Sequence, residues 1–271
     1  MIIITGMHRS GTSMITNLLL EISDDYQQAS SYIQGDIWNQ RGYFENMEFV
    51  ILNNCILIGN FAHSSALRRY PPEKRSQLIR FFISISNLKY LMLIIFPAQI
   101  HKNAMNRMSD MVELGKQYQG QIIKDPRFSL LIDYWNQATN INRVVFCFRH
   151  PYEVMCSLKK KYSLLPQIGY QLWSFHNVQF LKASHSVETI FINFNNFFDP
   201  MNHLNEMKRL YCVLDKEFDQ QQAEIIKKKI ILGKFKNQVY INQKIPHRVQ
   251  TIYSRLLELH ADEERWDRNL R

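Results

Sequence analysis

The chain has 271 residues, of which 46% are hydrophobic and 21% are charged, as in globular proteins that bury their own core. This composition excludes an intrinsically disordered chain, a collagen-like repeat and a disulfide-stapled scaffold. The net charge of +9 is concentrated in residues 68–163, which carry 16 basic and 6 acidic side chains. Such an excess is typical of a nucleic-acid surface, a site for a small polyanion or a solvated basic face.

The cysteines and the apolar segments bear on the cellular setting. None of the four cysteines forms a CxxC pair or has histidine neighbours at zinc-ligand spacing, which predicts reduced thiols. The first residues carry no positive region of the kind that begins a signal peptide. The most apolar later segment, 88–100, contains a lysine and a proline and is too short to cross a bilayer. We therefore expect no transmembrane segment and a cytoplasmic location.

Short apolar runs alternate with longer stretches of helical periodicity. Buried strands are predicted at 2–5, 121–124, 143–148 and 189–194. Helices are predicted at 11–22, 47–59, 72–89, 104–118, 128–138, 151–161, 168–183, 203–214, 220–231 and 246–259. This alternation predicts a three-layer α/β fold, with a parallel sheet covered by helices on both faces. We expect one domain over 1–271, in which 46–118 forms a helical cap above the ligand side of the sheet.

The first strand runs into a glycine loop and then a helix. The loop reads Gly-Met-His-Arg-Ser-Gly-Thr-Ser, and Gly6 and Gly11 have the GxxxxG spacing of a P-loop. Backbone N–H groups in such a loop face an anion, and the positive end of the following helix adds to its binding. The Walker lysine is absent, because Thr12-Ser13 stands at the Lys-Ser/Thr position. Arg9 instead places a cation inside the loop, which favours an anion bound without nucleoside-triphosphate chemistry.

A second anion-binding element is predicted after the third strand. Arg149 follows that strand, at the sheet edge where open α/β folds bind ligands. Ser157 lies eight residues later, two turns into the next helix. The guanidinium and the hydroxyl could hold one phosphate group together. By itself, an arginine at a strand end is equally well explained as an ion-pair partner at the surface.

Together the two elements resemble the sulfotransferases that use 3′-phosphoadenosine-5′-phosphosulfate (PAPS), most of all bacterial members with the same glycine loop. The shared segments are Gly-Met-His-Arg-Ser-Gly-Thr-Ser at 6–13, Arg-Gly-Tyr-Phe-Glu at 41–45, Lys-Asp-Pro-Arg at 124–127 and Leu-Trp at 172–173. The resemblance extends from residue 1 to about residue 200. It implies the P-loop-like sulfotransferase fold with helical insertions, and transfer of a sulfuryl group from PAPS to a hydroxyl or amine.

The resemblance also implies how the donor is held. The residues implied for the donor PAPS and the product 3′-phosphoadenosine-5′-phosphate (PAP) are His8, Arg9, Ser10, Gly11, Thr12, Ser13, Arg149 and Ser157. Arg9 stands where many members of the family carry a catalytic lysine. Because a guanidinium does not readily give up a proton, we expect Arg9 to stabilise charge on the leaving phosphate. No metal ion is implied.

Two further residues are implied for the chemistry. Lys124 matches a lysine that contacts the transferring group; the alternative is that Lys124, Asp125 and Arg127 form a structural ion-pair cluster. Glu45 resembles the general base of family branches that lack a histidine after that lysine. Alternatively, Glu45 is an acidic residue at a helix N-terminus that only complements the helix dipole. His8 and His176 are the alternative candidates for the base.

Two other functions fit parts of the pattern. A P-loop-like nucleotide kinase or phosphotransferase would share the fold but would need the missing Walker lysine. A non-catalytic polyanion-binding protein would use the basic middle third, although no nucleic-acid motif is present and we expect no nucleic-acid partner. The expected acceptor is a small molecule, a saccharide or a lipid-linked compound, and the sequence favours none of them.

Overall fold

The protein folds around a parallel β-sheet. The structure, a computed structural model, describes residues 1–23, 44–59, 97–162, 165–231 and 243–262. In these ranges the strands are β1 Ile2–Thr5, β2 Ile122–Lys124, β3 Arg143–Phe148 and β4 Thr189–Asn193. They form one all-parallel sheet in the order β2-β1-β3-β4. All four predicted strands are present; β2 begins one residue later and β4 ends one residue earlier than expected.

Helices connect and cover the strands. Their bounds are α1 Thr12–Ser23, α2 Met47–Ile58, α3 Pro97–Asn106, α4 Met108–Gln117, α5 Phe128–Ala138, α6 Pro151–Tyr162, α7 Pro166–Ala183, α8 His203–Val213, α9 Gln220–Ile231 and α10 His247–Ala261. A 3₁₀ helix, Phe194–Phe198, follows β4 directly and was not expected from the sequence. The predicted helix at 72–89 lies outside the described residues.

One predicted helix is wrong. The sequence predicts a single helix over 104–118, but the chain forms α3 and α4 with a break at Arg107. The Arg107 N–H donates to the carbonyl of Ala104, three residues back, at 3.1 Å. The Arg107 backbone leaves helical geometry with φ −112° and ψ 13°, and its side chain pairs with Asp110 at 3.0 Å. The tight turn therefore ends α3 and begins α4.

The strands bury side chains on both faces of the sheet. Ile3, Val144 and Phe146 point into a core with side chains of α2, α5, α7 and α10, whereas Ile4 and Val145 point into a core with side chains of α1, α8 and α9. Because successive strand residues face opposite sides, a run of apolar residues is buried throughout its length. The chain is therefore an α/β protein with helices on both faces of the sheet, which is compatible with the predicted three layers.

The strand order creates a crevice beside β1. From the central β1 the chain moves outward to β2 on one side, and then returns to place β3 on the other side. The connections that leave the carboxyl ends of β1 and β3 therefore run in opposite directions. Open α/β sheets bind ligands at this kind of switch point. The glycine loop follows β1 and Arg149 follows β3, so both predicted anion-binding elements lie at this crevice.

The predicted cap region at 46–118 is described only at its two ends. Phe49 and Ile56 of α2, Ile100 of α3 and Met111 of α4 belong to the same core as Ile3. Residues 60–96 of this region lie outside the described residues. Among the described helices, none has the length and apolar character that a bilayer crossing needs.

Candidate anion-binding site

The glycine loop is packed too closely for side chains at two positions. Gly6 has φ +141°, and a Cβ there would lie 2.1 Å from the carbonyl oxygen of Cys147 in β3. Gly11 has φ +94°, and a Cβ there would lie 2.0 Å from the ring of Phe194. These positive φ angles and close approaches both require glycine. The loop is therefore pressed between β3 and the 3₁₀ helix, which sets its shape.

We expect Gly6→Ala to lower the free energy of unfolding by roughly 2–4 kcal/mol, because a methyl group would collide with β3 and a positive φ would be strained. Gly120→Ala is the matched control, since Gly120 also has a positive φ (+82°) but nothing lies within 4 Å of a Cβ there. Urea denaturation of both variants measures the difference. Equal losses in the two variants would contradict the tight packing of the loop.

The loop presents donors to the crevice. α1 begins at Thr12, so the positive end of the helix dipole lies at the loop. The N–H groups of Met14 and Ile15 donate to the carbonyl of Gly11 at 2.9 and 3.1 Å. The Ser10 hydroxyl oxygen is buried, with 1% of the residue exposed, and has no hydrogen-bond partner in the described part of the chain. A buried hydroxyl without a partner is costly in a protein interior. A bound anion that accepts a hydrogen bond from Ser10 would remove this cost.

Arg9 adopts a conformation that is uncommon for a residue with a side chain. Its φ is +74°, in the left-handed region, at a cost on the order of 1–3 kcal/mol. Its Nε donates to the Ser157 hydroxyl oxygen at 2.8 Å. This contact places the guanidinium between the glycine loop and α6, which follows β3.

Arg149 lies on the other side of the crevice. Its Nε donates to the Glu153 carboxylate at 2.6 Å, and its guanidinium carbon lies 4.5 Å from the centre of the Phe194 ring. Burial lowers the pKa of Arg149, Glu153 opposes this shift, and the positive charge of Arg9 adds to the lowering. The two guanidinium groups therefore repel each other, and an anion between them would relieve this repulsion.

A buried ion-pair cluster occupies the β2 side of the loop. The Glu45 carboxylate accepts from Lys124 Nζ at 2.8 Å and from a terminal nitrogen of Arg127 at 3.3 Å. The backbone of Glu45 also forms an isolated bridge with Lys124, beside β2. Phe44, just before it, has φ +54°. The side chains of Glu45, Lys124 and Arg127 are at most 8% exposed.

The cluster extends toward the core through polar partners. Arg127 also pairs with Asp125 at 2.7 Å, and its Nε donates to the Asn54 side chain at 3.0 Å. Asn53 donates to Asp125 at 2.9 Å and accepts from the Trp135 ring N–H at 2.8 Å. Every distance is that of a good hydrogen bond. The cluster is therefore a well-satisfied buried network that connects α2 with the end of β2.

The charges of the cluster fix the state of Glu45. Burial by itself would raise the pKa of the Glu45 carboxyl, but the positive charges of Lys124 and Arg127, together with His8, outweigh it and hold the pKa well below its usual range. Glu45 is therefore ionised at neutral pH. A carboxylate held in this way has a low affinity for protons.

Two histidines lie next to the cluster. His176 on α7 is 3% exposed, and its Nδ1 lies 2.7 Å from the Ser129 hydroxyl oxygen. Burial, helped by the charge of Arg127, lowers the pKa of His176 to about 3. His8 meets His176 edge to face, with ring centres 5.9 Å apart. Burial and the neighbouring cations lower the pKa of His8 well below the usual histidine range, against the opposing effect of Glu45.

The structure brings the predicted residues together in two groups along one edge of the sheet. Arg9, Ser157 and Arg149 meet between the ends of β1 and β3. Glu45 and Lys124 meet at the end of β2. The remaining loop positions lie between or beside these groups: Ser10 and Thr12 are buried, and His8, Gly11 and Ser13 are partly buried. The roles assigned to these residues remain predictions.

Some partners were not expected from the sequence. Phe194 lies against both Gly11 and Arg149, and no local pattern distinguishes it from other core aromatics. Glu153 stands four residues after Arg149 at the start of α6, which is a recognisable spacing for an ion pair. Asn53 and Asn54 are consecutive amides in a helix whose other residues are mostly apolar, and this interruption is a usable signal.

Comparison with protein-family models, with curated proteins and with solved structures found no match to this chain.

Proposed function

We propose that the protein is a PAPS-dependent sulfotransferase. It transfers the sulfuryl group of PAPS to a hydroxyl or an amine by in-line displacement and releases PAP. The acceptor is a small molecule, a saccharide or a lipid-linked compound. The sequence resemblance motivates this function, and the geometry of the crevice between β1 and β3 supports it.

One observation carries the proposal: the contact between Arg9 and Ser157. It joins the glycine loop after β1 to the helix after β3, across 148 residues of sequence. Arg149 is within electrostatic reach of Arg9. The buried Ser10 hydroxyl of the same loop has no hydrogen-bond partner among the described residues. Two cations and such a buried hydroxyl at one switch point suit a ligand with several negative charges.

The residues present fit the two anionic ends of PAPS. The loop, the start of α1 and Arg9 would bind the 5′-phosphosulfate. Arg149 and Ser157 would bind the 3′-phosphate, with the Arg149 guanidinium oriented by Glu153 and Phe194. PAP carries a 3′-phosphate that ADP lacks. The Arg149 guanidinium would bind this phosphate, so the site should bind PAP more tightly than ADP.

Charge stabilisation is the main chemical role of the protein. Negative charge builds on the leaving phosphate as the sulfur–oxygen bond breaks, and preorganised cations and N–H donors lower the barrier. Arg9 supplies this charge from within the loop. Lys124, which is buried and held at 2.8 Å from Glu45, would act on the transferring group through the field of its charge. Glu45 thereby orients Lys124.

PAP should raise the melting temperature more than ADP or ATP does, without Mg²⁺, because the 3′-phosphate adds a contact to Arg149 and tighter binding gives greater stabilisation. Differential scanning fluorimetry at matched ligand concentrations measures this. Arg149→Gln keeps a donor toward Glu153 but removes the charge, and it should abolish the preference for PAP.

Arg255→Ala is the control for a general loss of positive charge, because Arg255 is an exposed residue of α10 paired with Glu258. It should keep the preference for PAP. Equal shifts from PAP and ADP in the unaltered protein would overturn the 3′-phosphate assignment, and a Mg²⁺-dependent preference for ATP would favour a kinase. Once PAP binds, a screen with labelled PAPS against saccharides, lipid-linked sugars and phenols would identify the acceptor.

A further inference from the structure

Proton transfer requires a base that can touch the acceptor. Of the titratable groups in and beside the buried cluster, Glu45 is 6% exposed, Lys124 3% and His176 3%. His8 is partly exposed and belongs to the glycine loop itself. In the described part of the chain, His8 is thus the group of this set that reaches both the loop and the solvent. A general base must come within hydrogen-bond reach of the acceptor oxygen.

Charged and titratable groups surround His8 on several elements. Arg127 precedes α5, His176 lies on α7, Lys124 ends β2 and Glu45 precedes α2, and each of them acts electrostatically on His8. Glu45 is already engaged by Lys124 and Arg127, so it only partly offsets the cations. The surroundings of His8 therefore favour the neutral imidazole, which is the form that can accept a proton.

We propose that His8 is the general base of the reaction, and that the anionic donor bound in the glycine loop makes it effective. This inference rests on the proposed function. The acceptor hydroxyl gives its proton to an imidazole nitrogen of His8 while its oxygen forms a bond to sulfur. The bond from sulfur to the 5′-phosphate oxygen breaks, and its electron pair leaves with PAP. The products are the sulfated acceptor, PAP and protonated His8.

The donor and the proton on His8 should favour each other. A phosphosulfate or phosphate bound in the loop places negative charge beside His8, because His8 belongs to that loop. An opposite charge within about 4–6 Å raises the pKa of a histidine by about 1–3 units. Without the donor, the surroundings of His8 hold its pKa low; with the donor, its affinity for a proton rises. The base would thus gain strength only when there is a sulfuryl group to transfer.

The test is a histidine titration followed by NMR, with ¹³C at the Cε1 position. The His8 signal is assigned by its loss in His8→Asn. PAP should raise the pKa of His8 by about one unit or more, while the buried His176 should respond less. Inorganic sulfate is a second probe, which tests whether an anion in the loop suffices.

Kinetics provide a readout that a structural role would not change. His8→Asn should still bind PAP in calorimetry, lose about a hundredfold or more in turnover and lose the acidic limb of the pH–turnover profile. Added imidazole should restore part of the activity of His8→Gly. His176→Asn is the matched control, because its amide oxygen can replace Nδ1 beside Ser129, and it should keep the acidic limb.

Failures of the two proposals are distinguishable. If PAP binds in calorimetry but the pKa of His8 does not move, or if His8→Asn keeps the acidic limb, the role of His8 is overturned and the sulfotransferase assignment stands. If PAP does not bind the unaltered protein, the proposed function is overturned, and the role of His8 with it.

Discussion

Replacing Arg9 with alanine should reduce turnover by on the order of a hundredfold or more, the scale observed when one preorganised charge-stabilising donor is lost. The guanidinium stands in the loop where charge develops on the leaving phosphate, so its contact strengthens as the sulfur–oxygen bond breaks. The affinity for PAP should fall much less than turnover does. Saturation kinetics with labelled PAPS, compared with PAP affinity from calorimetry, separate the two effects.

Two companion variants make this result specific. Arg9→Gly relieves the strain of a φ of +74° and should be at least as stable as the unaltered protein, so its loss of turnover would not arise from misfolding. Ser157→Ala removes the hydroxyl that accepts from Arg9 Nε at 2.8 Å but leaves the charge of Arg9. Its turnover should therefore fall less than that of Arg9→Ala. An Arg9→Ala variant that bound PAPS poorly but turned over normally at saturation would contradict this role.

Glu45→Gln should lower the free energy of unfolding at neutral pH by about 3–5 kcal/mol, because it leaves Lys124 and Arg127 buried with less negative charge beside them. Arg127 would keep its ion pair with Asp125 at 2.7 Å. The loss of the Glu45 charge would therefore affect Lys124 more than Arg127. Turnover should also fall, because Lys124 would lose the carboxylate that orients it. Chemical denaturation at neutral pH measures the stability change.

The pH dependence of this effect has a definite sign. The pKa of Glu45 is lowered on folding, so the unfolded chain binds its proton more tightly. The stabilisation is complete above the usual carboxyl pKa of 4.5 and is lost as the pH falls below it. The stability gap between the unaltered protein and Glu45→Gln should therefore narrow in acid.

Glu258→Gln is the control, since Glu258 and Arg255 form an exposed pair with side chains 63% and 55% accessible. It should change stability by at most about 1 kcal/mol. A Glu45→Gln variant as stable as the unaltered protein at neutral pH would contradict the buried ion pairs. Glu45→Gln also distinguishes the two candidate bases. Loss of the acidic limb of its pH–turnover profile would favour Glu45 as the base, and retention of that limb would favour His8.

The sequence by itself determined the local features of this protein. The four strands are visible because buried parallel strands are short, continuous apolar runs, and their bounds agree with the structure to within a residue. The glycine loop is visible because positive φ angles at Gly6 and Gly11 demand glycine at fixed spacing. In both cases the physical requirement applies to residues that are close in sequence, so a local sequence pattern is enough to show it.

Helix ends were less well determined. The predicted single helix over 104–118 differs from the observed pair of helices by one tight turn at Arg107 and one ion pair between Arg107 and Asp110. Such a break costs little in local propensity, because the residues on both sides are acceptable helix formers. Packing of α3 and α4 against the core beside α2 therefore decided between one helix and two.

Only the tertiary structure decided which distant residues meet. Arg9 and Ser157 are separated by 148 residues, and Lys124 and Glu45 by 79. The first pair forms because β1 lies beside β3, which places the loop after β1 next to the helix that follows β3. The second pair forms because the backbone of Glu45 bridges to Lys124 at the end of β2. Hydrophobic periodicity shows that a strand is buried, but it carries no information on strand order. The ion pairs that hold Glu45 ionised, and the approach of Phe194 to the loop, follow from the strand order and from the packing of helices on the sheet.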